Sequence, residues 1–391
     1  MPPCSPGGAP EGSPDARYRS LAAAFEAALP QLLAAAERVV SIDSGSYDAA
    51  GVNAVQDRFA TLLQQAGFTV ERRPLPGRGD QLTARRGGSG PRLLVLGHAD
   101  TVWPAGTAAA WPCRRGGDAV TGPGIGDMKL NVLMAIEALR LLPQVSATFL
   151  IVPDEEIGSP QSRAWIEAEA RGQDYCLTLE PARPGGGTVI GRGAVGAFYI
   201  RASGVTAHCG AAREAGASAL AALAPMVAEI EALADFAAGS YATCGILRAG
   251  AARQVVPGEA ELHVDLRAPD DATAESLLAA VRAIATRPPA DPRVVVEVSG
   301  GFTRPAFPTL PGGQRLYDRA AGFAAALGAP IFPLVSRGGS DGSFAARLGV
   351  PTLDGLGPVG HEICSRREWV EVSSIPARGA ILAGLMAAGA P

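Results

Sequence analysis

The chain lacks a run approaching the roughly 20 apolar residues that a membrane-spanning helix needs. Its amino terminus, MPPCSPGGAPEGSPDARYRS, also lacks the charged head and apolar middle of a signal peptide. Neither a membrane span nor export is expected, so the chain reads as cytoplasmic, with residues 1–16 as a disordered tail rich in Pro, Gly and Ser. Excess positive charge is missing too: the formal net charge of -4 gives no electrostatic reason to expect nucleic acid as a partner. The cysteines (Cys4, Cys113, Cys176, Cys209, Cys244 and Cys364) have no CxxC spacing, which argues against a disulfide scaffold and a zinc ribbon. All but Cys364 read as free, mostly buried thiols. Histidine is scarce: there are only His98, His208, His263 and His361.

What is present is a core. With 391 residues, 47% of them hydrophobic and 18% charged, the chain exceeds one compact core, and two domains or one large insertion are expected. The apolar runs PRLLVLGHAD (91–100), SATFLIVPDE (146–155) and DYCLTLEP (174–181) predict inner strands. Helical periods lie around them at 51–67 and 127–142, so the expected fold is α/β, a mostly parallel sheet flanked by helices. From about 193 the pattern changes to strand, helix, strand, helix, strand, a small α+β unit. The expected division is a catalytic domain in two parts, 17–192 and 303–391, with an inserted domain at 193–302.

Each inner strand ends in groups that coordinate or titrate: His98 and Asp100, then Glu155 and Glu156, then Glu180. Asp127 follows the glycine-rich GPGIG at a helix start. In an open α/β sheet the carboxyl ends of the strands line the ligand crevice. Carboxylates gathered there repel one another and lose hydration, a difficulty that a divalent cation removes. Imidazole with carboxylates and no paired thiols suits zinc, with cobalt and manganese also compatible. Strand alternation lets adjacent glutamates take different tasks, one holding metal and one moving protons. Asp100, two residues past His98, is placed to accept the imidazole's other N–H. A metal that acidifies water and polarises a carbonyl, beside a general base, predicts hydrolysis of a carbonyl compound.

GHADTV, GPGIGDMK, DEEIGS, LEP, GVTAHCGAA and GGSDGSFA, in this order, resemble the M20 metallopeptidase family, particularly its glutamate carboxypeptidase-like branch. The resemblance runs from about residue 35 to the end. It implies a two-metal site held by His98, Asp127 as the bridging ligand, Glu156 and Glu180, with Asp100 orienting His98 and Glu155 as general base. It further implies that the inserted domain serves as a dimerisation and lid domain forming a homodimer, and that His208 stabilises the oxyanion. Arg267, Arg304 and the Gly339–Ser340 backbone would hold a substrate carboxylate. The implied reaction is zinc-dependent cleavage of an amide in a small peptide, releasing an amino acid. An N-acyl amino acid deacylase and a binding protein with an altered metal site are the alternatives. The sequence departs from the family where the last metal ligand, a histidine, is due: Cys364 stands there, and His361 lies three residues earlier. Either Cys364 or His361 is therefore the candidate ligand. His263 reads as structural, and Lys129 as a residue of a solvated helix face.

Overall fold

A computed structural model describes residues 14–391. Along the chain run α1 (Pro14–Val40), α2 (Ala49–Gln65), β1 (Thr69–Arg73), β2 (Gln81–Arg86), β3 (Ser89–His98), α3 (Leu130–Leu141), β4 (Val145–Val152) and β5 (Tyr175–Thr178). They are followed by β6 (Ala194–Ser203), α4 (Ala219–Glu231), β7 (Tyr241–Ala249), β8 (Glu259–Ala268), α5 (Asp271–Ala285), β9 (Val295–Arg304), α6 (Pro311–Leu327), β10 (Thr352–Leu353) and α7 (Ile375–Ala388). The first helix begins at Pro14, inside the segment read as tail; residues 1–13 of that segment lie outside the described residues.

The chain divides into two compact units. The first holds residues up to Ile190, Thr309–Leu334 and Ser340–Pro391; the second holds Gly191–Pro308 with Val335–Gly339. In the first unit, six strands form one sheet in the order β1-β2-β4-β3-β5-β10. β4, β3, β5 and β10 pair in parallel, while β2 joins β4 antiparallel and carries β1 outside it. Alternation explains why β3 is apolar without interruption: Leu93 and Val95 enter one core, and Leu94 and Leu96 enter another on the opposite face. β4 repeats this with Phe149 and Ile151 against Leu150 and Val152. Each such fully buried side chain contributes roughly 1.5–3 kcal/mol of transfer free energy.

α2 shows how its sequence makes a helix. Asp48 accepts from Gly51 N at 2.9 Å and caps the start. Val52, Val55, Phe59 and Leu63 then recur at helical spacing and are all buried.

The second unit is a four-stranded antiparallel sheet, β7-β8-β6-β9, packed on α4 and α5. Phe198, Ile200 and Ala202 of β6 face that core, while Arg201 and Ser203 face away. The sequence reading missed the edge strand β7, because its solvent-facing Gly245–Arg248 stretch has no clean alternation of apolar and polar residues. His263, expected to be structural, stands edge-on to Tyr199 at 5.1 Å. The cysteines differ from expectation: Cys176 is buried, Cys113 and Cys244 are half-buried and Cys209 is exposed, while Cys4 lies outside the described residues.

Candidate active site

β3 delivers His98, 1% exposed, to the carboxyl edge of the sheet. Its Nδ1 lies 2.9 Å from the Asp100 carbonyl oxygen and 3.4 Å from Asp100 Oδ1; its Nε2 lies 3.0 Å from Asp127 Oδ1. Burial disfavours the charged ring, but the bonds to Asp100 and Asp127 outweigh it and raise the imidazole well above its ordinary pKa. Burial likewise works against ionised Asp127, and the bonds from His98 overcome it and lower this carboxyl.

Asp100 gathers more than the imidazole. Its Oδ1 accepts from Glu155 N and its Oδ2 from Glu156 N, both at 3.1 Å, and Ser46 Oγ donates to Oδ2 at 2.7 Å. Glu155 and Glu156 do not lie on the strand, which ends at Val152; they open a single tight helical turn, Glu155–Ile157. Their side chains diverge because successive residues of such a turn point about 120° apart, rather than through strand alternation. Glu155 is buried. Glu156 Oε1 is shielded from solvent and has no hydrogen-bond partner. Burial, and then the Asp127 charge, push the Glu156 carboxyl well above its usual range.

Asp127 stands in a wide turn, Ile125–Lys129, ahead of α3 rather than at its first residue, and a cis peptide joins it to Met128. Gly124 enters the turn at φ 72°, where a Cβ would lie 2.5 Å from Thr101 Cγ2. Below the turn, Glu368 Oε1 accepts from Gly126 N at 2.9 Å and Asp127 N at 3.3 Å. Asn131 Nδ2 donates to the carbonyls of Gly126 and Leu179, both at 2.7 Å. Burial, with Asp127 nearby, pushes Glu368 up to about 8. Lys129 corrects the reading of a solvated face: it is 1% exposed and donates from Nζ to the Ile42 carbonyl at 2.7 Å. Glu368, Ser46 and Asn131 escaped sequence reasoning because they hold the site from outside the strand ends.

His98, Asp127 and Glu156 each offer a ligand atom within 4.8 Å of the others. Glu180 is buried beyond the end of β5 and is not a member of that trio; its carbonyl accepts from Gly357 N at 2.9 Å. Cys364 Sγ donates to Asp127 Oδ2 at 3.4 Å. His361 turns elsewhere: its Nε2 is 2.7 Å from Glu371 Oε1, and its ring stacks on Trp369 at 3.9 Å.

Beside Glu156, in the same unit, opens a cleft of about 470 Å³ lined by Tyr47, Val102, Trp103 and Ile157. Gly45 bridges Thr101 in parallel, which brings Tyr47 and Trp103, each two residues on, to one register. A Cβ on Gly45 would lie 2.5 Å from the Trp103 carbonyl oxygen, so this approach requires glycine.

In the second unit, exposed His208 accepts at Nδ1 from Gly210 N and Ala211 N, each at 3.1 Å. Two donors on Nδ1 leave the ring hydrogen on Nε2. Arg267 bonds Asp265 from Nε at 2.7 Å and Nη2 at 3.0 Å, and the Arg337 carbonyl from Nη1 at 2.9 Å. Arg304 is buried with its Cδ against Gly339, where a Cβ would lie 2.8 Å away. Arg192, another residue the sequence did not mark, donates to the carbonyls of Gly338 at 2.9 Å and Gly339 at 3.1 Å. Ser340, in the first unit, is buried and accepts from Gly342 N at 3.2 Å.

Residues 94–388 match the family described as Peptidase family M20/M25/M40. The chain belongs to this family. Its members are metal-dependent hydrolases of amide bonds, and so is this chain. It is 32% identical over 367 residues to carboxypeptidase G2 of Pseudomonas sp., covering 89% of this chain and 87% of the relative. It is 32% identical over 355 residues to a succinyl-diaminopimelate desuccinylase of Alkalilimnicola ehrlichii, covering 85% and 92%. In fold it is similar to an M20 family metallo-carboxypeptidase of Sulfolobus solfataricus, with a TM-score of 0.73 and 14% identity over 91% of this chain and 98% of that one.

The donor set suits the family's metal. An imidazole and two carboxylates converge out of solvent, one carboxylate oxygen has no donor to satisfy it, and Glu156 is displaced toward its neutral form. A divalent cation supplies the countercharge these groups lack. No helix among the described residues is long and apolar enough to cross a membrane.

Proposed function

We propose that this chain is a two-zinc amide hydrolase of the cytoplasm that releases an amino acid from a small peptide, on the glutamate carboxypeptidase pattern. The observation that carries the reading is the convergence on Asp100: its carbonyl oxygen fixes His98, with Oδ1 3.4 Å from the same nitrogen, and its buried carboxylate fixes the amides of both Glu155 and Glu156. His98, Asp127, Glu156 and Glu180 would hold the metals. When bound, the metals acidify a water and polarise the scissile carbonyl.

Glu155 then serves as the general base. Its backbone is pinned to Asp100, so its carboxylate keeps its direction as it takes a proton from the attacking water and passes it to the leaving nitrogen. Asp100 holds the His98 ring and thereby preserves the Nε2 lone pair for a metal. His208, carrying its hydrogen on Nε2, has the tautomer that an oxyanion donor needs. Arg304 and the Gly339 backbone would hold the substrate carboxylate, whereas Arg267, each of whose three nitrogens already donates once, braces the Arg337 segment. The edge strand β7 exposes Ile246 and Leu247, which supports pairing with a second copy of the chain.

N-acyl amino acid deacylation is the second reading, favoured by the similarity to a desuccinylase. The test is metal content together with hydrolysis of a panel of dipeptides and N-acyl amino acids. Glu155→Gln should keep its metal and lose roughly 10²–10⁴-fold in kcat. Turnover of N-acyl amino acids without dipeptides would favour the deacylase. A metal-loaded protein that turns over none of the panel would favour a binding protein.

A further inference from the structure

The two oxygens of Asp127 face two different donors: Oδ1 is 3.0 Å from His98 Nε2, and Oδ2 is 3.4 Å from Cys364 Sγ. We propose that the Cys364 thiolate is the last ligand of the metal pair, and that it makes this centre select zinc, cobalt or cadmium over manganese and magnesium. The inference rests on the metal-centre reading above and deepens it.

The loop carrying Cys364 is built to turn its sulfur inward. Cys364 and Glu362 both adopt the left-handed region, with φ of 59° and 51°. In residues other than glycine this conformation costs on the order of 1 kcal/mol each and persists where the surroundings enforce it. The residue is exposed as a whole, yet Sγ reaches the buried Asp127.

Two shielded oxygens near Asp127 have no hydrogen-bond partner: Glu156 Oε1, and, below the turn, Glu368 Oε2 on a residue 1% exposed. A cation would satisfy oxygens that no donor reaches. On binding a cation the S–H bond breaks, the sulfur keeps the electron pair and bonds the metal, and one proton leaves to solvent.

The rival is already occupied. His361 directs Nε2 to Glu371 at 2.7 Å, and its ring lies flat on Trp369, with the planes within 5°. It is a strut of the short pairing of Gly360–His361 with Trp369–Glu371. A thiolate is a softer donor than the oxygens and imidazole around it, so it shifts preference toward the softer ions.

The test uses the whole protein, stripped with a chelator and reloaded with Co²⁺. A thiolate on Co²⁺ gives an intense near-ultraviolet charge-transfer band, whatever the activity. The band is expected in the wild type and in His361→Ala, and should vanish in Cys364→Ser and Cys364→His. Competition between zinc and manganese should show a zinc preference at least tenfold stronger in the wild type than in Cys364→His, which restores a nitrogen donor should the serine variant fold poorly. Two cobalt ions per chain without the band would overturn the thiolate and leave the metal centre standing. A band that survives in both Cys364 variants would place the thiol elsewhere and overturn it equally. A wild type that retains no cobalt would sink the metal-centre reading and this inference with it.

Discussion

Ser46 donates its hydroxyl hydrogen to Asp100 Oδ2 at 2.7 Å, joining the segment before α2 to the carboxylate that orders the site. Removing that hydroxyl leaves Asp100 buried with one donor fewer. Ser46→Ala should therefore lower stability by about 1 kcal/mol and loosen the Glu155–Glu156 turn. Denaturant unfolding and kcat check this: a variant equal to wild type in both would mean that the hydroxyl is idle.

Asp100→Asn probes the same carboxylate from the other side. An amide accepts at only one atom, so its NH2 would face either Glu155 N or Glu156 N, a donor against a donor. Metal affinity should fall roughly 10- to 100-fold, measured by competition with a chelator.

Under the Asp127 turn, Glu368 Oε1 satisfies two buried amides. Glu368→Ala strands both and should cost about 1–3 kcal/mol for each unsatisfied group. Glu368→Gln keeps an acceptor and should cost clearly less. Melting curves of the two variants measure the difference, and equal losses would show that the carboxylate, not the acceptor, matters.

The cleft walled by Tyr47 and Trp103 borders Glu156, so its apolar surface should contact the part of the substrate adjoining the scissile amide. Trp103→Ala is expected to raise KM several-fold for substrates with a bulky apolar group there. It should change little for an acetyl group, which is too small to reach the ring.

In the second unit Asp291 grips Arg293 at 2.7 Å, and Arg293 donates to the carbonyls of Glu214, Ala215 and Gly216, closing the loop that follows His208. The bonds from Arg293 hold Asp291 down to about 2, below its ordinary 3.8. A depressed carboxyl stabilises the fold above its unfolded pKa and loses that contribution as pH falls through the folded value. Asp291→Asn should thus melt slightly lower than wild type at pH 6, and the gap should close between about pH 4 and pH 2.

What was legible in the sequence was what periodicity and strand ends encode. The uninterrupted apolar runs of β3, β4 and β5 predicted buried strands, and His98, Asp100, Glu155 and Glu156 followed from their ends. Contacts made by distant segments were not legible. Nothing local to Ser46 or Glu368 says that each will fold under a loop far away in the chain. The turn at Glu155 was read as strand because its neighbours are apolar, whereas Gly158 in the left-handed region closes it as a helical turn. Lys129 was placed in water on residue type alone, although α3 is apolar on nearly every side.

Lys129 is the only lysine of the chain, and its amine is sealed against the Ile42 carbonyl. The folded protein consequently shows acylating reagents no ε-amino group, and a protease that cuts only after lysine finds no accessible bond. Onset of ε-amine labelling therefore reports the opening of the Asp127 turn itself, a built-in gauge of whether the catalytic edge has come apart.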